Sequence, residues 1–311
     1  PKIGLSDATC YESDVRYPTD VKLLWECCEW LWKQICRISK SIGRKLERVK
    51  FKEQYRKYLD YQKRRKKPHK LERRRRKGLL YLLKKLQQIM SRVLATWTSS
   101  DRWKKTKLSV NFFSRLGLIK RVHKQQRLHY DRPGAKIKGR IISLAKPYLR
   151  PIVRGKETKR VEFGLKVNML QIDNINFIEH ADFEAFHEGV RLKSTIWAHR
   201  HYFSKITHLG ADQIYANNAN RRYCTAQGIT TSFPRKGRAG KNEAQAKIIR
   251  AALQKARATR MEGSFGNEKN HYGLAKVKAK TKATEMAWIF FGILTANAHK
   301  MMKKWANAPP G

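Results

Sequence analysis

Three acidic residues stand where chemistry could use them. Asp7 lies near the middle of a stretch that reads as a strand, Asp212 at the C-terminal end of another, and Glu262 on a helix. Hard divalent cations such as magnesium take oxygen ligands, and a pair of ions needs about three carboxylates besides the oxygens of a phosphate. Brought together, these acids would polarise a phosphodiester, generate a nucleophile from water or a 3′-hydroxyl, and stabilise the leaving oxygen. Each also has a plainer reading. Asp7 could be a strand-end turn residue, and Glu262 could belong to a buried ion pair or a capped turn. Periodicity alone does not make the three converge.

The stretch around the glutamate, residues 257–274, reads RATRMEGSFGNEKNHYGL. As a helix it would carry Glu262 inward, with Lys269 two turns later on the same face, roughly 10 Å along the axis. Phe265 lies near that face and could anchor the helix to a core.

These acids sit in an unusually basic chain. Its 311 residues hold 70 lysines and arginines against 24 aspartates and glutamates, a formal charge of +46. That surplus predicts a polyanionic partner, nucleic acid first and a membrane surface second. No apolar run approaches the roughly 20 residues of a spanning helix, and no signal peptide is present. The length allows one large domain or two small ones, and 8 tryptophans argue against a disordered basic chain. The 5 cysteines, odd in number and without CxxC spacing, suit reduced thiols better than disulfides or zinc. His199, His201 and His208 lack neighbours at zinc-ligand spacing and are expected at the surface or facing DNA. There is no internal repeat and no P-loop.

The elements that must position the acids can be followed in order. Residues 3–11 read as a first strand, so close to the start that an N-terminal part is expected to be missing. Thr19 caps a long helix, with Asp20 at its positive end, that becomes steadily more basic until Pro68 breaks it. The run Arg73, Arg74, Arg75, Arg76 and Lys77 then leads past Gly78 into a helix over about 79–96, and a third helix spans about 108–129. Charge of one sign at this density predicts a phosphate-binding face. Beyond Ile141 the character changes: Lys159 to Ile172 and Ile175 to Ala181 read as a hairpin, and a helix comes next over 190–204. Thr207 to Ala211 is a buried strand ending at Asp212, with a helix and a short strand at 229–233 after it. Strand, acid, helix, strand is an α/β pattern, and acids at C-terminal strand ends face the crevice where ligands bind. A last, largely buried helix carries Trp288, Ile289, Phe290, Phe291, Ile293 and Leu294.

The chain resembles the catalytic part of DDE-type insertion-sequence transposases, with an RNase H-like catalytic domain. The matching blocks are Asp7-Ala8-Thr9 with Arg16-Tyr17-Pro18-Thr19-Asp20; Arg150-Pro151-Ile152-Val153-Arg154-Gly155-Lys156 with Glu162-Phe163-Gly164 and Lys166; Ala211-Asp212 with Tyr215; and Glu262-Gly263-Ser264-Phe265-Gly266 with Lys269 and Tyr272-Gly273-Leu274. They occur in the expected order over nearly the whole chain. The resemblance implies an α/β fold, an RNase H-like mixed sheet flanked by helices. A large basic helical insertion would stand between the first and second strands: 1–18 first strand, 19–135 insertion, 136–311 remainder of the core.

It further implies that Asp7, Asp212 and Glu262 hold two magnesium ions, with manganese as a substitute. Lys269 would contact DNA near the reacting strand, with Arg257, Arg260, Arg154, Lys156 and the run Arg73 to Lys77 as further DNA contacts. The implied activity is cleavage of double-stranded DNA at transposon ends and transfer of the freed strand to target DNA. It would be carried out by a homodimer synapsed on DNA, cytoplasmic and associated with the bacterial nucleoid, with no membrane partner. A nuclease without strand transfer, or a non-catalytic basic remnant, would share much of this sequence. The family's tyrosine and arginine, seven and four residues before the glutamate, are replaced by Lys255 and Ala258, with Arg257 and Arg260 close by.

Overall fold

The strand β1 (Ile3–Glu12) has a partner on each side, and the rest of its sheet is laid down around it. The structure, a computed structural model, describes residues 2–101, 105–153, 161–240 and 242–307. The chain divides into two compact units, one of residues 1–15 and 150–311, the other of residues 16–149.

The unit that comes after β1 in the chain is helical. Its first helix, α1 (Asp20–Ser41), is capped by Thr19, whose hydroxyl accepts the Lys22 N–H. It does not continue to Pro68 as the apolar spacing predicts. Gly43, at φ 67°, turns the chain into the left-handed region, and the N–H groups of Gly43 and Arg44 close back onto the carbonyls of Lys40 and Ser39. This is the glycine-terminated ending that satisfies the last carbonyls of a helix. Beyond it stands a separate helix, α2 (Phe51–Lys63). It lies against α1 through Trp25, whose ring stacks 5.2 Å from Tyr55 and 5.0 Å from Tyr58.

Helix α3 (His69–Ser99) begins directly after Pro68, not after Gly78, so the arginine run lies inside it. Pro68 suits a helix entry, and Glu72 complements the dipole of the first turn. Helix α4 (Val110–Asp131) is capped by Ser109. Leu24, Leu31, Ile35, Leu83, Leu86 and Ile119 from these stripes close a shared core.

The other unit holds the sheet. After two short strands, β2 (Ile152–Val153) and β3 (Val161–Glu162), come β4 (Gly164–Ile172) and β5 (Ile175–Asp182). They form a hairpin turning on Asp173 and Asn174, both with positive φ, as a two-residue turn matched to strand twist requires. Helix α5 (Leu192–Tyr202) leads to β6 (His208–Ala211), then α6 (Asn218–Ala226) to β7 (Thr230–Thr231). The strand order is β5-β4-β1-β6-β7. β1 runs antiparallel to β4 and parallel to β6, and β6 runs parallel to β7. A five-stranded mixed sheet with flanking helices, interrupted after its first strand by a large helical insertion, is consistent with the RNase H-like fold. Helices α7 (Glu243–Ala256), α8 (Glu262–His271) and α9 (Lys282–Ala306) complete the unit.

Two expectations fail here. Helix α9 is not largely buried: Ile289 and Ile293 face the core, but Trp288, Phe290, Phe291 and Leu294 are 43 to 59% exposed. A run that is apolar all round gives no sign of which face the fold covers. His199 is not at the surface. It is fully buried, with Nδ1 2.9 Å from the Ser204 carbonyl and its ring close against Gly4 of β1. Among the described residues no helix is long and apolar enough to cross a membrane.

Candidate active site

The parallel pairing of β1 with β6 puts Ser6 opposite Ala211. Asp7 and Asp212 are the next residues along each strand, so their backbones stand side by side, roughly one strand spacing of about 5 Å apart. Asp212 keeps an extended backbone and its carboxylate accepts the Gln213 N–H, which opens a short 3-10 turn over Gln213–Tyr215. The strand thus ends on its acid, because the side chain itself caps that turn.

The third acid arrives on a helix laid across these two strands. Gly210 permits the approach: a Cβ there would meet Leu5 Cδ2 at 2.7 Å and the Leu253 carbonyl oxygen of α7 at 2.9 Å. Between α7 and α8 the helix widens into a π turn over Arg257–Met261. Such insertions of one residue recur at functional sites. Here the wider turn buries both Arg257 and Met261. The Arg257 guanidinium Nη1 donates to Asp7 Oδ2 at 2.7 Å, so this arginine faces the acid and is withdrawn from the surface where DNA contact was expected. Asp7 Oδ1 accepts the Ala8 N–H at 2.8 Å. Burial pushes the Asp7 carboxyl above its usual range, and the pull of Arg257 does not fully offset it.

Glu262 opens α8 and is exposed, not turned inward. The acid that this helix buries is Glu268, whose carboxylate accepts from the Tyr11 hydroxyl and from Asn176 Nδ2 at 2.6 Å. Burial raises its pKa, with Tyr11 and Asn176 opposing. Glu268 therefore fastens α8 to β1 and β5, and the extra residue of the π turn changes the face on which Glu262 emerges. Lys269, the next residue, donates to Thr9 Oγ1 at 3.0 Å and lies over the Tyr11 ring. Its ammonium is held against β1, two residues along from Asp7. Among the described residues Glu262 has no ion-pair partner.

A fourth acid belongs to the neighbourhood. Glu188, on a 3-10 turn over Glu188–Val190, adds to the upward push on both Asp7 and the buried Tyr215 phenol. Its carboxylate is held 2.8 Å from Lys166 Nζ. Nothing in its sequence surroundings sets it apart, since it lies in an irregular segment without periodicity.

The expected DNA contacts divide. Arg260 is exposed. Arg73, Arg74 and Lys77 are exposed, Arg75 is half-buried, and Arg76 turns inward to Asp20, 3.6 Å away, and to the Tyr130 ring. The mostly buried Asp20 carboxylate holds Arg76 along with Arg140, which lies closer at 2.7 Å. Arg154 and Lys156 lie outside the described residues.

Among the described residues no group of three acidic, histidine or cysteine side chains is placed to hold a metal ion. The donor set nevertheless suits an oxygen-seeking divalent cation: all three groups are carboxylates. Asp7, whose charged form burial disfavours, would gain most from a cation beside it. Its two oxygens keep further lone pairs beyond those taken by Arg257 and the Ala8 N–H.

No curated protein and no solved structure matches the chain. A family does: the transposase DDE domain matches residues 209–297, the segment that carries Asp212 and Glu262. That match spans the strand and the helix that bring two of the three acids, and it makes this part of the chain similar to the DDE domain of transposases.

Proposed function

We propose that the chain is a transposase that cleaves double-stranded DNA at transposon ends and joins the freed 3′-hydroxyl to target DNA. Asp7, Asp212 and Glu262 are its metal-holding carboxylates. The observation that carries this reading is the register of β1 and β6, which makes Asp7 and Asp212 neighbours across two parallel strands. The family match over 209–297 supports it by covering Asp212 and Glu262 together. Two magnesium ions, or manganese in their stead, would supply Lewis-acid activation of the phosphodiester and of the attacking oxygen.

The chain's own residues do the rest. Arg257 orients the Asp7 carboxylate through one oxygen, and Glu268 and the Tyr11 hydroxyl fix α8 so that Glu262 projects from its first turn. Lys269, steadied by Thr9, offers positive charge to a phosphate beside the reacting strand. Arg260, Arg154, Lys156 and the exposed members of the Arg73 to Lys77 run add phosphate contacts of the same kind. Two copies synapsed on a pair of ends, working on nucleoid DNA in the bacterial cytoplasm, complete the reading.

Nicking of supercoiled plasmid by the full chain in magnesium or manganese tests it, with Glu262→Gln as the variant. Loss of an aligned charge-stabilising group predicts a drop of about 100-fold or more in nicking. Duplex affinity should stay nearly unchanged, because binding rests on lysine and arginine. Equal nicking by variant and wild type would remove the catalytic assignment. Joined products distinguish a transposase from a nuclease that stops at cleavage.

A further inference from the structure

The helical unit carries a second cationic feature, separate from the acids and independent of their role. Between α3 and α4 runs a groove of about 700 Å³. Its α3 wall is one helical stripe of Lys77, Tyr81, Lys84, Lys85 and Arg92, and its α4 wall contributes Arg127 and His123. No carboxylate lines it. Lys77, Lys84 and Lys85 have no acidic partner among the described residues. The two arginines are anchored at the edges instead. Arg92 is gripped by both oxygens of Glu47, at 3.0 and 2.6 Å, and Arg127 by Asp131 at 2.7 Å.

His123 Nδ1 lies 2.6 Å from Gln87 Oε1, and burial, with Arg127 and Lys84 adding to it, holds the imidazole below its ordinary pKa. Three unpaired ammonium groups crowded together repel one another unless an anion lies between them. A helix face usually avoids this by alternating sign, as α1 does with Lys33 and Glu29. Tyr81, 72% exposed, projects from the middle of the stripe with nothing apolar over it.

We propose that this groove docks one phosphate strand of duplex DNA. From Lys77 to Arg92 the stripe is about 22 Å long at the rise of an α-helix, which matches about six base-pair steps along the axis of a duplex. Lys77, Lys84 and Lys85 contact successive phosphates, and Tyr81 lies against a sugar. A channel for single strands would offer a succession of aromatic platforms, whereas the α3 wall presents a single ring. Of the basic run at the start of α3, Lys77 is the member that lines this groove. Arg76 is turned to Asp20 instead.

The test is binding of a fluorescent DNA duplex by the full chain, over a range of salt, with the double variant Lys84→Glu and Lys85→Glu. The control is Lys52→Glu with Arg56→Glu on α2, two exposed cations outside the groove that change the net charge equally. The groove variant should bind about tenfold or more weakly, with a salt slope shallower by about 2, while the control loses little. The milder pair Lys84→Gln and Lys85→Gln should show the same order of effects should charge reversal disturb folding. Equal losses in groove and control variants would overturn the proposal, as would a single strand or an RNA duplex outcompeting the DNA duplex. A Glu262→Gln chain that fails to nick yet still binds through the groove leaves this inference standing, so the two readings fail separately.

Discussion

At the scale of single residues, the contact that decides most is Arg257 with Asp7. The pair is nearly enclosed, the side chains only 10% and 14% exposed, and the arginine's Nε is buried without a partner. An arginine kept under those conditions is there for the carboxylate, since its own hydrogen-bonding is incomplete. Arg257→Ala should therefore cost about 3 kcal/mol in denaturant unfolding, as expected when one partner of a buried pair is removed. It should lower nicking by about tenfold or more, with duplex affinity within about twofold of wild type. Arg257→Lys keeps the charge without the fork and should recover only part of either. A large fall in affinity with intact unfolding energy would instead make Arg257 a DNA contact. The sequence makes Asp7 and Asp212 conspicuous, because aspartate is rare inside a strand and frequent where one ends. It says nothing of Arg257 as the partner of Asp7, which stands 250 residues away and meets it only through the sheet.

At the scale of elements, the site depends on how closely the α7–α8 helix lies on β1 and β6. Gly210 sets that distance, since the atoms its missing Cβ would strike include the backbone of α7 and a core leucine. Gly210→Ala should destabilise the fold by about 2 kcal/mol through overpacking. It should also reduce nicking more than DNA binding, because the helix that carries Glu262 must shift away from Asp7 and Asp212. Unchanged nicking in a destabilised variant would show that the helix can move without disturbing the chemistry. The strands and most helix starts are legible from alternation, caps and turn residues: Thr19 caps α1 as its type predicts. What defeats sequence reading is departure from a constant period. The π turn at Arg257–Met261 adds a residue that 3.6-fold counting cannot foresee, so Glu262 is mistaken for the inward acid and Glu268 passes unnoticed. Gly43 similarly ends α1 inside a run whose apolar spacing continues past it.

For the molecule as a whole, acids are scarce, 24 against 70 bases, so a buried carboxylate can gather several cations. Asp20 shows this most fully. It accepts from Gln126 at 2.8 Å and Arg140 at 2.7 Å, with His129 at 3.2 Å and Arg76 at 3.6 Å. Burial alone would raise its pKa, but Gln126, Arg140 and Arg76 outweigh it and hold the carboxyl below the ordinary value of 3.8. A carboxyl whose pKa is lower folded than unfolded binds its proton more readily in the unfolded chain. Its stabilisation is complete above the unfolded pKa and disappears as pH falls through the folded one. Asp20→Asn should therefore destabilise the helical unit by about 2 kcal/mol near neutral pH. The gap between variant and wild type should close below about pH 4, as the wild-type carboxyl protonates. Urea midpoints across pH, monitored by fluorescence of Trp25, Trp30, Trp32 and Trp97 within that unit, measure it. A gap constant down to about pH 2 would mean that the loss in the variant does not come from the charge of Asp20, and that the charge surplus is not what this buried acid restrains.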